Sequence, residues 1–288
     1  MLQNAHHRAA VRGRLLQSGL RPPGPASVSW KLNREVVVIA GWGRAILLQL
    51  AHPSVAAGVH DHSQFRGSLM SGMKRLQSTV GAMLKITFGD TEERVAAAAG
   101  INAVHDHVQA RDGSGETYSA HDPALQRWVH CTLLESIPLT YELLVGPLTR
   151  SELDQYCRES TIMEPLLGMP EGSLPRGADQ LNTYMRDMLA GGSLRVSDRS
   201  RALAHAVLYP PTWRVAWPAF RASQLLTIGL LPPSIRAAYG FTWGVREERA
   251  FARWVTLLRG ARQVLPRAMR EWAMARREPV AVAAVDGG

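Results

Sequence analysis

The stretch from Asn33 to Ala51, NREVVVIAGWGRAILLQLA, constrains this chain more than any other, because read as a helix it is apolar nearly all round. A helix without a polar stripe has no face to offer water, so other elements must surround it. It is shorter than the ~20 apolar residues a bilayer span needs, and it carries Arg44 and Gln49. It therefore predicts a buried core helix. Pro53 disfavours helical geometry at the residue before it, which places the end of this helix at His52.

The rest of the chain supplies the surround. A second helix is expected from Ser68 to Phe88, stopping at Gly89. A third opens at Asp90 or Thr91, with Glu92 and Glu93 in the first turn, where the helix dipole favours acids. ARDGSGETYS reads as a loop. Asp122-Pro123 combines an N-cap with proline at the first helical position and starts a long helix through Tyr141. Further helices are expected from Ser151, over Asp179 to Ala190, over Ser200 to Leu208, and from Arg246 to Arg276. No fixed-period repeat and no shift in composition divides the chain. The expectation is an all-α, bundle-like single domain over residues 31–277. A flexible basic arm (1–30) precedes it through RPPGPAS, and a disordered tail (278–288) follows.

The chain carries a formal net charge of +9, almost all of it from arginine, since the only lysines are Lys31, Lys74 and Lys85. Nucleic-acid binders usually mix the two cations, so a nucleic-acid partner is not expected. The basic excess sits at the two ends, as solvated helix faces, a contact with an anionic membrane surface, or a site for an acidic ligand. Cys131 and Cys157 lack CxxC spacing and read as reduced, buried thiols. The N-terminus shows no apolar leader, so the expected location is cytoplasmic, with peripheral membrane contact as an option.

Two stretches, AGVHDHSQF and NAVHDHVQA, repeat a His-Asp-His run. On a helix, residues two apart point about 200° away from each other, so His105 and His107 cannot share a face. Ile101, Val104, His105 and Val108 fall on one side, which turns His105 inward and Asp106 and His107 away. A buried imidazole must satisfy its nitrogens through hydrogen bonds or a metal, and a core histidine bonded to a carbonyl is the commoner case. His60-Asp61-His62 reads as a connection after Gly58. With His52 it forms a candidate mononuclear metal site that no further carboxylate or cysteine completes. Arg75 and Thr79 are i, i+4 neighbours at the border of an apolar face; they can anchor a carboxylate or polarise a ligand, or simply serve structure. His130, in WVHCTLL, is a core-or-ligand residue of the same kind. Gly41, Gly43 and Gly58 can admit a flat ring or a packed helix. No phosphate loop, nucleophile elbow or catalytic triad is present.

Five segments in order, ILLQLAHPSVAAGVHDHSQF, KRLQSTVGAMLKITFG, VHDHV, YSAHDPALQRWVH and LLPPSIRAAYG, carry a resemblance over Ser27 to Phe241. They are similar to the helical oxygenase family of the rubber oxygenases (latex clearing protein) and the endoplasmic-reticulum oxygenase of mycophenolic acid biosynthesis. The resemblance implies haem b in an all-helical cleft, dioxygen as co-substrate, and a hydrophobic, isoprenoid- or polyketide-like substrate attacked at a carbon–carbon double bond. It implies His105 as the single axial ligand of iron, Arg75 and Thr79 beside the cofactor, and an upstream acid, for which Asp61 is the nearest residue. His52, His62 and His130 match family positions around the cofactor, while His60 and His107 are extras. Three alternatives remain: a haem peroxidase of the same fold, a non-haem metal enzyme on His52, His60 and His62, and a cofactor-free helical binding protein for apolar small molecules.

Overall fold

The computed structural model describes residues 2–62, 69–111, 117–209 and 217–277. The all-α expectation is met: helices dominate, and the described strands form one two-stranded hairpin. The core helix predicted over Asn33 to Ala51 is broken: α2 (Val28–Asn33) ends at its expected start, a single 3-10 turn follows at Val36–Val38, and then α3 (Ile39–Leu50). The break between them has a long-range cause. Glu35 is extended, bridges Glu271 in antiparallel pairing, and accepts Arg262 Nε at 2.9 Å and Nη2 at 2.7 Å. A nearly buried carboxylate finds its guanidinium only by leaving the helix.

α3 is the axis of the fold. It stops at Leu50 just ahead of His52, and α4 (Pro53–His62) starts at the proline. Its partner is α7 (Pro123–Leu144), which Asp122 caps by accepting the amides of Ala124 and Leu125. Between these two, Leu47, Leu48, Trp128, Cys131 and Ile137 share one core cluster. The helices approach closely because Gly41 has no side chain. A Cβ there would lie 2.7 Å from the Ser136 carbonyl. Gly43 gives Thr227 the same room, on α12 (Trp217–Gly229). These two glycines serve helix packing. Arg44 is buried and spends its donors on the Leu230 carbonyl (2.8 Å), Ser136 Oγ (2.7 Å) and Glu135 (2.6 Å).

α5 (Leu69–Phe88) and α6 (Thr91–His105) form an antiparallel pair. Asp90 caps α6 in a reciprocal box with Glu93, as its first-turn acids predict. The buried Arg94 donates to the Ile86 carbonyl at 2.6 Å, closing the end of α5; desolvation pulls its pKa down to about 10.

The residues expected as a flexible arm are instead helical over Leu2–Ser18 (α1), which docks on α6 and on α9 (Met163–Leu167). The reason is apolar spacing: Val11 and Leu15, one turn apart, are buried against Val95, Ala98 and Leu166. The expected loop at ARDGSGETYS contains the hairpin β1 (Gln109–Arg111) and β2 (Thr117–Ser119). Tyr118 of β2 lies against Gly58 of α4, where a Cβ would come within 2.7 Å of its hydroxyl. The hairpin thus folds back over α4.

α8 (Arg150–Ser160), α10 (Ala178–Ala190), α11 (Asp198–Leu208), α13 (Pro233–Ala238), α14 (Val245–Val264) and α15 (Arg267–Arg270) complete the surround. Cys131 and Cys157 are free and buried, and desolvation raises their thiols to about 12 and about 11. Among the described residues no single helix is long and apolar enough to cross a membrane. The tail expected over 278–288 lies outside the described residues.

Candidate active site

The site forms where α6 ends. His105 is the last helical residue, and Asp106 follows as C-cap. The imidazole turns inward, as its helical position predicts, and Nδ1 is buried without a hydrogen-bond partner among the described residues. Desolvation, reinforced by the nearby His121 and opposed by Asp106, lowers its pKa to about 4. At neutral pH the ring is therefore an uncharged donor with a nitrogen to spare. One expected neighbour is misplaced: Val104 is 59% exposed, so the apolar face around His105 is narrower than the helical period implies.

α7 brings in a second neutral imidazole. His130 is buried, and desolvation with the proximity of His105 lowers it to about 4 as well. One turn earlier on the same face, Gln126 is buried with Nε2 unbonded. Polar groups placed in a core without partners cost folding free energy, so Nδ1 of His105 and Nε2 of Gln126, unbonded among the described residues, point to a bound group. Sequence reasoning missed Gln126, and its only signal is its i, i+4 relation to His130.

Around Asp106 the geometry is tighter. His121, just before α7, donates from Nε2 to Asp106 Oδ1 at 2.7 Å, and His7 of α1 donates to Oδ2 at 2.8 Å. Those bonds, led by the one from His121, hold the carboxyl below its ordinary range. The His121 ring meets His105 edge to face, with centroids 5.7 Å apart and planes at 78°. His121 lies within YSAHDPALQRWVH but was not singled out, and His7 sat in the supposed arm. His107 faces outward and donates to the Ala103 carbonyl at 2.8 Å.

The first His-Asp-His run does not sit in a connection. α4 is helical through His62, and the side chain of His62, one of the three residues of the candidate set with His52 and His60, lies outside the described residues. His52 lies half-buried at the corner between α3 and α4, and His60 is exposed. Among the described residues no three His, Cys, Asp or Glu side chains gather in metal-ligating geometry. Asp61 and His62 close α4, and Arg75 and Thr79 stand one turn apart on α5. Their side chains lie outside the described residues.

A narrow cavity of about 80 Å³ runs from Pro23 and Glu159 past Met83, Leu134 and Ile137 to His130. A larger one, about 450 Å³, lies at the far end of α7 between Glu142 and Arg259. It is roughly 20 Å along the helix from His130, and Arg259 there is spent on the Leu143 carbonyl at 2.5 Å. Chemistry, not volume, marks the site: among the described residues, the His130 end combines neutral imidazoles with unspent polar atoms. The donor set fits a haem ligand, since His105 is uncharged, inward and has a free nitrogen. The 80 Å³ cavity alone does not enclose a tetrapyrrole, and the side chains of 71–77 on the adjoining α5 lie outside the described residues.

No solved structure matches this chain. It is similar to the uncharacterized proteins Mb2261 of Mycobacterium bovis and Rv2237 of Mycobacterium tuberculosis. Each is 26% identical over 230 residues, covering 79% of this chain and 89% of the relative. Residues 30–260 match the family described as ER-bound oxygenase mpaB/B'/rubber oxygenase, catalytic domain. That span contains α3 to α13 and both imidazoles at the end of α6 and on α7, so the chain belongs to this oxygenase family.

Proposed function

We propose that this oxygenase-family domain works with haem b and dioxygen on a hydrophobic, isoprenoid- or polyketide-like substrate, with His105 as the residue that would hold the iron. The observation that carries the reading is the half-buried His105 imidazole, neutral at physiological pH and with its Nδ1 buried and unpartnered among the described residues. Haem b, when bound, supplies the redox-active iron at which dioxygen becomes reactive. The chain's own residues do the rest. Desolvation keeps His105 from taking a proton that would compete with the metal. His130 stays neutral beside it and adds no charge that would draw in water. Gln126 offers an amide donor from the same face of α7, suited to an oxygen atom of cofactor or substrate. Arg75 and Thr79, one turn apart on α5, belong to the same reading as anchors for a carboxylate or polarising groups, and Asp61 as the upstream acid.

The test is direct. The purified protein, alone and after addition of hemin, is examined by visible absorption and by pyridine haemochrome, with total iron measured in parallel. The reading expects one haem per chain and its loss or altered ligation in His105→Ala. A protein that stays colourless with hemin overturns it. Stoichiometric non-haem metal in that sample supports a non-haem enzyme, and tight binding of apolar compounds without colour or metal supports a cofactor-free binder. A coloured protein that turns over peroxide but not dioxygen is a peroxidase.

A further inference from the structure

We propose that α1 is a clamp on the site. His7 holds Asp106, Asp106 holds His121, and the edge of His121 sets the plane of the His105 ring. The inference rests on the haem reading of His105 and names a control of that same site.

A metal-bound histidine usually fixes its ring by donating its second nitrogen to a carboxylate or carbonyl. The buried Nδ1 of His105 has no such bond among the described residues, which leaves packing to set the plane of the ring. The contact that does so is edge to face with His121, at 5.7 Å and 78°. His121 cannot swing freely, because Asp106 receives its Nε2 at 2.7 Å. Asp106 is in turn held on its other oxygen by His7 at 2.8 Å, across 99 residues of chain. A carboxylate bonded at both oxygens by groups from different elements has lost the rotation that either bond alone would permit.

The anchorage of His7 is substantial. Val11 and Leu15 bury α1 against α6 and α9, and Arg14 donates to the Pro165 carbonyl at 2.9 Å, whereas the Arg12–Glu92 pair is exposed. α1 also lies wholly before residue 30, where the family match begins. The clamp thus lies outside the matched span, built by the N-terminal segment of this chain onto the turn that follows the proposed ligand.

The experiment loads the full chain with hemin and compares His7→Ala, His7→Gln and Arg12→Ala with the unaltered protein. The readouts are the g-values in ferric electron paramagnetic resonance and the rate of hemin loss to apomyoglobin. Loss of an outer-shell partner costs about 10-fold or more in affinity, so His7→Ala is expected to shift the g-values and release hemin about tenfold faster. His7→Gln places an amide nitrogen where Nε2 stands and is expected to restore both. Arg12→Ala removes a different tie of α1 and is expected to leave the spectrum unchanged. Hemin uptake with one spectrum and one rate in all four proteins overturns the clamp alone, and so does an equal shift in Arg12→Ala. Failure of the unaltered protein to take up hemin overturns the functional reading and the clamp with it.

Discussion

At the scale of single residues, the chemistry concentrates in groups that folding has stripped of water. His105 and His130 both titrate near pH 4 in the folded chain, against about 6.5 unfolded. The unfolded state therefore binds more protons between those values, and folding stability falls as pH drops from 6.5 towards 4, flattening below. Urea midpoints of the haem-free protein are expected to fall across that window, and His130→Phe to make the fall shallower. Gln126 gives a second prediction. An unsatisfied buried amide costs about 1–3 kcal/mol, so Gln126→Leu is expected to stabilise the haem-free protein by about 1 kcal/mol in denaturant titration and to weaken hemin binding. Arg44 behaves oppositely: its donors are met by Glu135, Ser136 and the Leu230 carbonyl, and Arg44→Ala strands that carboxylate. The same titration should show a loss of about 3 kcal/mol.

At the scale of elements, local grammar decided a good deal. Asp90 and Asp122 cap α6 and α7 where an acid ahead of a helical stretch says they should, and Pro53 separates α3 from α4. What failed was context. Glu35 breaks the predicted continuous helix because its partners, Arg262 and Glu271, are more than two hundred residues away. The hairpin at Gln109–Ser119 escaped because three-residue strands carry too little alternation to stand out among turn residues. Val104 follows the helical period yet is exposed, because α6 ends one residue later. Packing also sets the tolerance at Gly41. A methyl group there would meet a backbone carbonyl that cannot rotate away, so Gly41→Ala is expected to lower stability by about 1–3 kcal/mol and to part α3 from α7. A thermal melt reads the loss.

At the scale of the whole molecule, the two ends of the chain are tied into the body. α1 covers α6, and the segment after α14 returns to Glu35 through Arg262 and Glu271. Glu35→Ala removes that tie, and hydrogen exchange over residues 262–277 is expected to quicken more than in α7. The interior is dry enough to silence both thiols: Cys131 and Cys157 should ignore Ellman's reagent until the chain is unfolded. The sequence alone determined the helical class, most helix boundaries, the family likeness and the inward turn of His105, because period, capping and proline act within a few residues of themselves. Tertiary structure decided that His105 stands near His130 and meets His121 edge to face, that Asp106 is shared between His121 and His7, and that α1 is a docked helix. Helical period states which way a side chain points but not what stands opposite, and that depends on contacts between residues as distant as 7 and 106.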